Sequence, residues 1–328
     1  MINKLNIFLG TGFDPHANLA TEKHLMDMVQ PGQCILYLWQ NQNTVVIGRN
    51  QNPWVECRTS LLEEEGGKLA RRLSGGGAVF HDIGNLNFTF LLCREDYDVD
   101  RQLSVIQAAC AMAGIPAEKS GRNDLLAEGR KFSGNAFYQD KLHAYHHGTL
   151  LIDVDMTKLQ RYLSPSKAKL EAKGVASVRS RVVNLKEMAP SLDCETMKTY
   201  MSAAFQQVYG LPAETIALAP QDLAAIEALK KEYGSWEFLY GTPLPFTLEC
   251  EQRFPWGGIQ LQLQAKHGII TAAKVYSDAM DWQLPETVET ALTGCHFRLS
   301  DMQQSLRNAI DNPQISDDLC TLLETQSL

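Results

Sequence analysis

Two stretches of this sequence carry residue types that could do chemistry on phosphate. They are Arg71-Arg72-Leu73-Ser74-Gly75-Gly76-Gly77-Ala78-Val79-Phe80-His81-Asp82 and, further along, Arg130-Lys131-Phe132-Ser133-Gly134-Asn135-Ala136. Gly75, Gly76 and Gly77 have no Cβ, so a ligand can lie on the peptide plane and their N–H groups can converge on an anion as a backbone nest does. Arg72 and Lys131 would neutralise that anion. The combination suits binding a triphosphate and stabilising charge on a phosphate under attack by a carboxylate.

Other phosphate loops do not fit. No Gly-x-x-x-x-Gly-Lys-Ser/Thr occurs, and no Gly-x-Gly-x-x-Gly opens a helix after a strand. A Gly-Gly-Gly turn can equally be structural. Arg71-Arg72 weighs against that here, because two adjacent arginines entering a bare loop have no evident packing role and strand alternation sends one inward and one outward. Lys131, Ser133 and Asn135 form a polar row on one face of a predicted strand, directed to solvent or to a polar cleft. Asp124, in the turn Gly121-Arg122-Asn123-Asp124, offers a carboxylate to Mg²⁺ beside phosphate oxygens, or to a ribose or adenine. The alternative for it is an ordinary turn.

His143, His146 and His147 suggest a metal cluster, but no carboxylate or cysteine completes it in the sequence, and strand geometry puts His146 and His147 on opposite faces. A single ligand-contacting histidine is the better reading. Ser164-x-x-Lys167 has neither a Ser-Asp-Asn nor a Lys-Thr-Gly partner. Gly-x-Ser-x-Gly and His-Glu-x-x-His are absent, which sets aside serine hydrolase and zincin chemistry.

The elements that must position these residues are predicted as follows. A helix runs from Ala17 to Val29 after Asp14-Pro15 and stops at Pro31-Gly32. Ile35 to Trp39 and Thr44 to Ile47 read as a hairpin. Leu69 to Arg72, Ala78 to His81 and Leu86 to Leu92 are strands, with the glycines in a turn, and Ser104 to Ala113 is a helix. Arg130 to Tyr138 and Leu142 to Val154 form a second hairpin around Gln139-Asp140. Helices follow at Cys194 to Tyr209, closed by Gly210, and at Gln221 to Lys231. Gly241-Thr242-Pro243-Leu244-Pro245 reads as a linker. Beyond it lie strands at Phe246 to Arg253, Gly258 to Ala265 and Ile269 to Tyr276, then helices near Pro285 to Leu292 and Asp301 to Ile310.

The chain has 328 residues, enough for one large and one small domain. Its eight cysteines are scattered, which fits a reducing compartment rather than a disulfide framework or a zinc site. No long apolar run suggests a membrane span, so a soluble, cytoplasmic protein is expected. The net charge of −8 argues against nucleic-acid binding. Charge is uneven, however: residues 158–186 carry +7, from Lys158, Arg161, Lys167, Lys169, Lys173, Arg179, Arg181 and Lys186 against Glu171, which leaves −15 elsewhere. That segment is either a solvated helix face and loop or a mobile basic flap over a polyphosphate or against an acidic protein partner.

Taken together these motifs resemble the ATP-dependent lipoate-protein ligases. The matching stretches are Asn18-Leu19-Ala20-x-Glu22, Leu38-Trp39-x-Asn41, Thr44 to Trp54, Arg71 to Asp82, Ser120 to Asp124, Lys131-x-Ser133-Gly134, His146 to Leu151, Ala172 to Val182 and Arg253-Phe254-x-Trp256-Gly257-Gly258. The resemblance implies an α+β protein. A large mixed-sheet catalytic domain of the biotinyl/lipoyl ligase type, distantly like the class II synthetase core, would occupy residues 1–243. A small C-terminal α+β domain would occupy 244–328. The implied reaction joins lipoate to ATP as lipoyl-AMP, with Mg²⁺, and then passes the lipoyl group to a lysine of a carrier domain. The implied partners are lipoyl domains of 2-oxoacid dehydrogenase E2 subunits and the glycine-cleavage H protein, met by a monomer that binds neither nucleic acid nor membrane.

Carried over by residue, Arg72, Ser74, Gly75, Gly76 and Gly77 would hold the carboxyl region and phosphate, and Gly77, Ala78, Val79 and Phe80 would border the nucleotide. Lys131 would bridge carboxylate and α-phosphate as the catalytic residue. Asn85, Asp124 and His147 would be further contacts, with Asp124 on Mg²⁺. Lys173, Gly174, Ser177 and Arg179 would belong to a loop that orders over the adenylate. A rival on the same fold is an ATP-independent lipoyl or octanoyl transferase, which needs a cysteine nucleophile; Cys93 and Cys110 are nearest in sequence. Biotin ligation and a non-catalytic docking module are further alternatives.

Overall fold

A computed structural model describes residues 1–121, 124–163, 182–241 and 247–326. Fourteen strands lie among the described residues: β1 (Lys4–Leu9), β2 (Gln33–Trp39), β3 (Thr44–Ile47), β4 (Lys68–Arg71), β5 (Val79–His81), β6 (Asn85–Cys93), β7 (Glu118–Ser120), β8 (Asp124–Ala127), β9 (Arg130–Gln139), β10 (His143–Leu151), β11 (Ala213–Thr215), β12 (Leu248–Phe254), β13 (Gly257–Lys266) and β14 (Ile269–Ser277). Eight of them make one sheet in the order β11-β1-β2-β6-β10-β9-β8-β7. Only β11-β1 and β1-β2 are parallel in it.

Both faces of this sheet are covered, and alternation along β2 and β6 divides the side chains between them. Cys34, Leu36, Leu38, Leu86, Phe88, Phe90 and Leu92 point to one core, closed by the helices Val99–Met112 and Cys194–Tyr209. Ile35, Tyr37, Trp39 and Leu91 point to the other, closed by the helix Pro15–Met28. That helix starts where expected: the Asp14 carboxylate accepts from His16 N, and Pro15 needs no partner for a missing N–H. Because of the alternation, the polar residues Asn85, Asn87 and Thr89 share the second face, and all three are buried.

The second predicted hairpin is present, with Ala144 opposite Gln139. The first is not. β2 pairs with β1 and β6, whereas β3 enters a separate three-stranded sheet, β4-β3-β5. The Asn18 side-chain amide donates to Gln40 O and Asn41 Oδ1 and holds the intervening turn away from a hairpin closure. The triple glycine does join β4 to β5, but those strands flank β3 and never touch each other.

β12, β13 and β14 form an antiparallel sheet packed on helices Leu284–Leu292, Leu299–Ala309 and Pro313–Glu324. The last helix was not anticipated from the sequence. The expected α+β architecture, a large mixed sheet followed by a small α+β unit, is the one observed; the expected boundary at residues 243 and 244 lies outside the described residues. The small unit leans on the large one through Ser277 N donating to Asn50 O (2.8 Å), Asn50 Nδ2 donating to Trp282 O (2.8 Å) and Gly76 N donating to Ala279 O (3.1 Å).

Candidate active site

Register places a floor and a roof around one cleft. Trp39, Asn87 and Thr149 stand opposite one another on β2, β6 and β10, and the row continues to Gly134, whose N–H donates to Thr149 Oγ1. The next row is Tyr37, Thr89, His147 and Ala136. Val46, Gly76, Gly77, Ala78, Val79 and His81 come down from the small sheet and its loop, and Arg253, Asp278 and Met280 close one end from the small domain. The cleft holds about 420 Å³.

Lys131 reaches it by an irregularity. Leu125 pairs with Ser133 but Leu126 pairs with Lys131, so Phe132 is an extra residue in the ladder. The bulge puts Lys131 and Ser133 on opposite faces and breaks the expected polar row. Ser133 is fully buried, and Asn135 lines the cleft while its Oδ1 accepts from His146 Nε2 (2.8 Å). Lys131 lies over Gly134, where a Cβ would sit 3.1 Å from its Nζ, and pairs with Asp124 Oδ1 at 2.7 Å.

The two arginines have a packing role after all. Arg71 donates to the carbonyls of Gly48, Arg49, Gln51, Phe238 and Leu239. Arg72 donates to Ser74 Oγ and to the carbonyls of Val46, Gly75 and Gly77, and so clasps the glycine turn from behind while lining the cleft. Burial pulls both guanidinium pKa values down to about 10, still far above neutrality. The turn is not an open nest of three free amides, since Gly76 N–H is taken by Ala279 O and Gly75 packs against the same carbonyl. Arg72, Gly76, Gly77, Ala78, Val79, Asp124, Lys131 and His147 line the cleft. Ser74, Gly75, Phe80 and Asn85 stand behind that lining; Phe80 packs on Tyr162 with ring centroids 5.5 Å apart. Lys173, Gly174, Ser177 and Arg179 lie outside the described residues.

A buried relay that sequence reading missed ties the floor to the loop. Trp39 Nε1 donates to Thr89 Oγ1 (3.1 Å), Thr89 donates to Glu22 Oε1 (2.7 Å), and the same oxygen accepts from His147 Nδ1 (2.9 Å). Ser74 Oγ then donates to His147 Nε2 (2.7 Å) while accepting from Arg72 Nε (3.1 Å). The signal that could have found it is polar residues in strict alternation, Asn85-Leu86-Asn87-Phe88-Thr89, inside a strand with no exposed face. Of the small-domain residues, Arg253 lies in a stretch that matches the family, whereas nothing local announces Asp278 and Met280.

The three histidines separate. His146 sits among Phe88, Phe90 and Phe137, and burial pushes its pKa down to about 3. His147 faces the cleft. His143 lies with Asp27 and Asp140, so carboxylates do accompany it, contrary to the sequence expectation, although Lys23 already pairs with Asp27 there. All eight cysteines are described, and none lines the cleft. Burial pushes the Cys110 thiol up to about 12 and raises that of Cys93.

Residues 14–206 match the family described as lipoyl protein ligase A/B catalytic domain, and residues 244–322 match the bacterial lipoate protein ligase C-terminus. A lipoate-protein ligase A of Bdellovibrio bacteriovorus is 42% identical over 312 residues, 93% of this chain and 92% of that protein. The crystal structure of P. falciparum LipL1 in complex with lipoate superposes with a TM-score of 0.84 at 26% identity, covering 98% of this chain and 100% of that one. The crystal structure of a lipoate-protein ligase A bound with ATP has a TM-score of 0.64 at 22% identity, covering 74% and 99%, a likeness of fold. Among the described residues no helix is long and apolar enough to cross a membrane.

Proposed function

Because the chain belongs to the lipoate-protein ligase family, we propose that it activates lipoate with Mg-ATP to lipoyl-AMP and then acylates the ε-amine of a lysine on a lipoyl carrier domain. The observation that carries this reading is Lys131 lying over Gly134 on the floor of a cleft whose other walls include the apolar Leu19, Trp39, Val46 and Val79. An apolar acyl tail and an anionic head are both provided for.

Activation brings a carboxylate onto a phosphate, anion onto anion, so charge neutralisation and alignment dominate the barrier. The Lys131 ammonium would bridge the lipoate carboxylate and the α-phosphate; a carboxylate oxygen attacks phosphorus and pyrophosphate leaves. The bare peptides at Gly76 and Gly77 let the phosphates approach the roof closely. Asp124 is suited to be one carboxylate ligand of Mg²⁺, an ion that typically combines one or two carboxylates with phosphate oxygens and neutralises their charge. In the second step the neutral carrier amine attacks the acyl carbon, an amide forms as the nitrogen releases one proton to solvent, and AMP leaves with the electron pair. Carriers of the E2 lipoyl-domain and glycine-cleavage H-protein types, a monomeric enzyme and a cytoplasmic setting belong to the same proposal.

The transferase alternative is disfavoured by the absence of a thiol from the cleft lining. The deciding experiment is incubation with lipoate, Mg-ATP and an unlipoylated carrier domain, followed by intact mass. A lipoyl mass gain that requires ATP supports the ligase; a gain without ATP, or none, overturns it.

A further inference from the structure

The tautomer of His81 can be traced back to the main chain. Asn18 Nδ2 lies 2.8 Å from Gln40 O and 3.2 Å from Gly12 O, which can only accept, so this end of the Asn18 carboxamide is its NH₂. Asn41 Oδ1, 3.0 Å from it, therefore accepts. That turns the Asn41 NH₂ toward His81 Nδ1 at 3.2 Å, so Nδ1 is an acceptor and the ring proton sits on Nε2. Burial, reinforced by the charge of Arg72, pushes the His81 pKa down to about 3 and keeps the ring neutral. The Nε2–H has no partner among the described residues, although the ring is only 4% exposed and lines the cleft. A buried donor left unpaired is costly unless a ligand meets it.

The position of the ring says which part of a ligand that is. The floor row from Gly134, under Lys131, through Thr149 and Asn87 to Trp39 spans three strand spacings, about 14 Å. An extended eight-carbon acid anchored by its carboxylate at Lys131 is shorter than this, so its tail runs toward the Asn87–Trp39 end. His81 stands edge-on to Trp39 there, with centroids 6.4 Å apart.

Resting on the ligase reading above, we propose that His81 is a specificity-determining residue whose Nε2–H donates to a sulfur of the dithiolane ring. It thereby favours lipoate over acids of the same size that end in hydrocarbon. Sulfur is a weak acceptor, but a hydrocarbon tail leaves the donor unpaired altogether.

The test compares lipoate with cyclopentylpentanoate, its carbocyclic analogue in which both sulfurs are methylenes, as substrates for ATP–pyrophosphate exchange by the full-length protein. Lipoate should be preferred in kcat/KM by roughly three- to tenfold, the worth of one neutral hydrogen bond. His81→Asn keeps a δ-position acceptor for Asn41 but no ε donor, and should bring the ratio close to one. His81→Gln, whose amide nitrogen reaches the ε position, should keep the preference. A wild-type protein that treats the two acids alike, or a His81→Asn protein that still discriminates, overturns the inference. Should His81→Asn not fold, the nitrogen-15 imidazole spectrum of the wild-type protein decides: the Nε2–H resonance moves with lipoate and not with the carbocycle, and any other response is contrary. Exchange with neither acid removes the ligase reading and this inference with it; exchange without discrimination removes only the inference.

Discussion

Lys131 and Asp124 face each other across the β8–β9 ladder with Nζ 2.7 Å from Oδ1, and they do so only because Phe132 is bulged out between Lys131 and Ser133. Without that extra residue the lysine would occupy the opposite face. The carboxylate aims the ammonium along the floor instead of leaving a long flexible side chain to sample solvent. Lys131→Ala should therefore lower adenylate formation by on the order of 10²- to 10³-fold, the size usual for one preorganised charge contact. ATP–pyrophosphate exchange measures it, and near-normal exchange would contradict the assigned role.

Asp124 can act on Mg²⁺ or merely on Lys131, and the two roles separate in a titration. If it is a metal ligand, Asp124→Asn should shift the Mg²⁺ concentration needed for half-maximal exchange upward, by about tenfold or more for a lost charged ligand. An unshifted Mg²⁺ curve with a lowered plateau would instead mark it as a partner of Lys131 alone.

Gly75 is required by the small domain. A Cβ there would lie 2.4 Å from Ala279 O and 2.9 Å from Met280 O, main-chain atoms that cannot rotate away. Gly75→Ala should cost about 1–3 kcal/mol as overpacking and loosen the seat of residues 279–282 on the large domain, read as a change in tryptophan emission during urea unfolding. Gly77→Ala, with nothing within 4 Å of the added methyl, should leave stability within about 0.5 kcal/mol. Equal effects at the two positions would be inconsistent with this packing.

Glu22 is 2% exposed and accepts from both Thr89 and His147. Glu22→Ala would orphan two buried donors, and at roughly 1–3 kcal/mol for each such group the protein should lose about 2–6 kcal/mol of stability. Chemical denaturation reports this directly. A loss below about 1 kcal/mol would mean that the relay is not held as described.

His81 and His146 make stability fall on acidification. Burial lowers both from 6.5 to about 3. Between those values the unfolded chain binds protons that the native protein refuses, so unfolding becomes easier as pH drops; above 6.5 neither state is protonated and the contribution vanishes. Each histidine should contribute a slope of about 1.4 kcal/mol per pH unit within that window. Urea midpoints measured between about pH 5 and 6.5 should lose about one proton of this slope in His146→Gln, and an unaltered slope would show that His146 is not the titrating group.

Much of the architecture could be read where local signals agree with period. Asp14-Pro15 starts its helix, Gly210, at φ 68°, ends the helix Cys194–Tyr209, and the β9–β10 hairpin closes near Asp140. Strand partners were not legible in the same way. Ile35 to Trp39 and Thr44 to Ile47 look like hairpin neighbours because they are apolar and a short turn separates them, yet both are buried strands of different sheets. Asn18, distant in sequence, decides their divergence through its bonds to the Gln40–Asn41 turn.

Residue types and motif spacing were enough to read a glycine turn entered by two arginines and a separate lysine near small residues, and the resemblance of the motifs pointed to the lipoate-protein ligase family. These are properties of short segments, in which the chemistry of a residue and its nearest neighbours is written directly. Which face Lys131 occupies, whether Arg71 and Arg72 are spent on main-chain carbonyls, that Glu22, His147 and Ser74 form one relay, and that the small domain caps Gly76 were decided only by tertiary structure. They depend on register, on a one-residue bulge and on contacts between segments far apart in the chain, and a pleat that repeats every two residues turns a single-residue irregularity into a change of face.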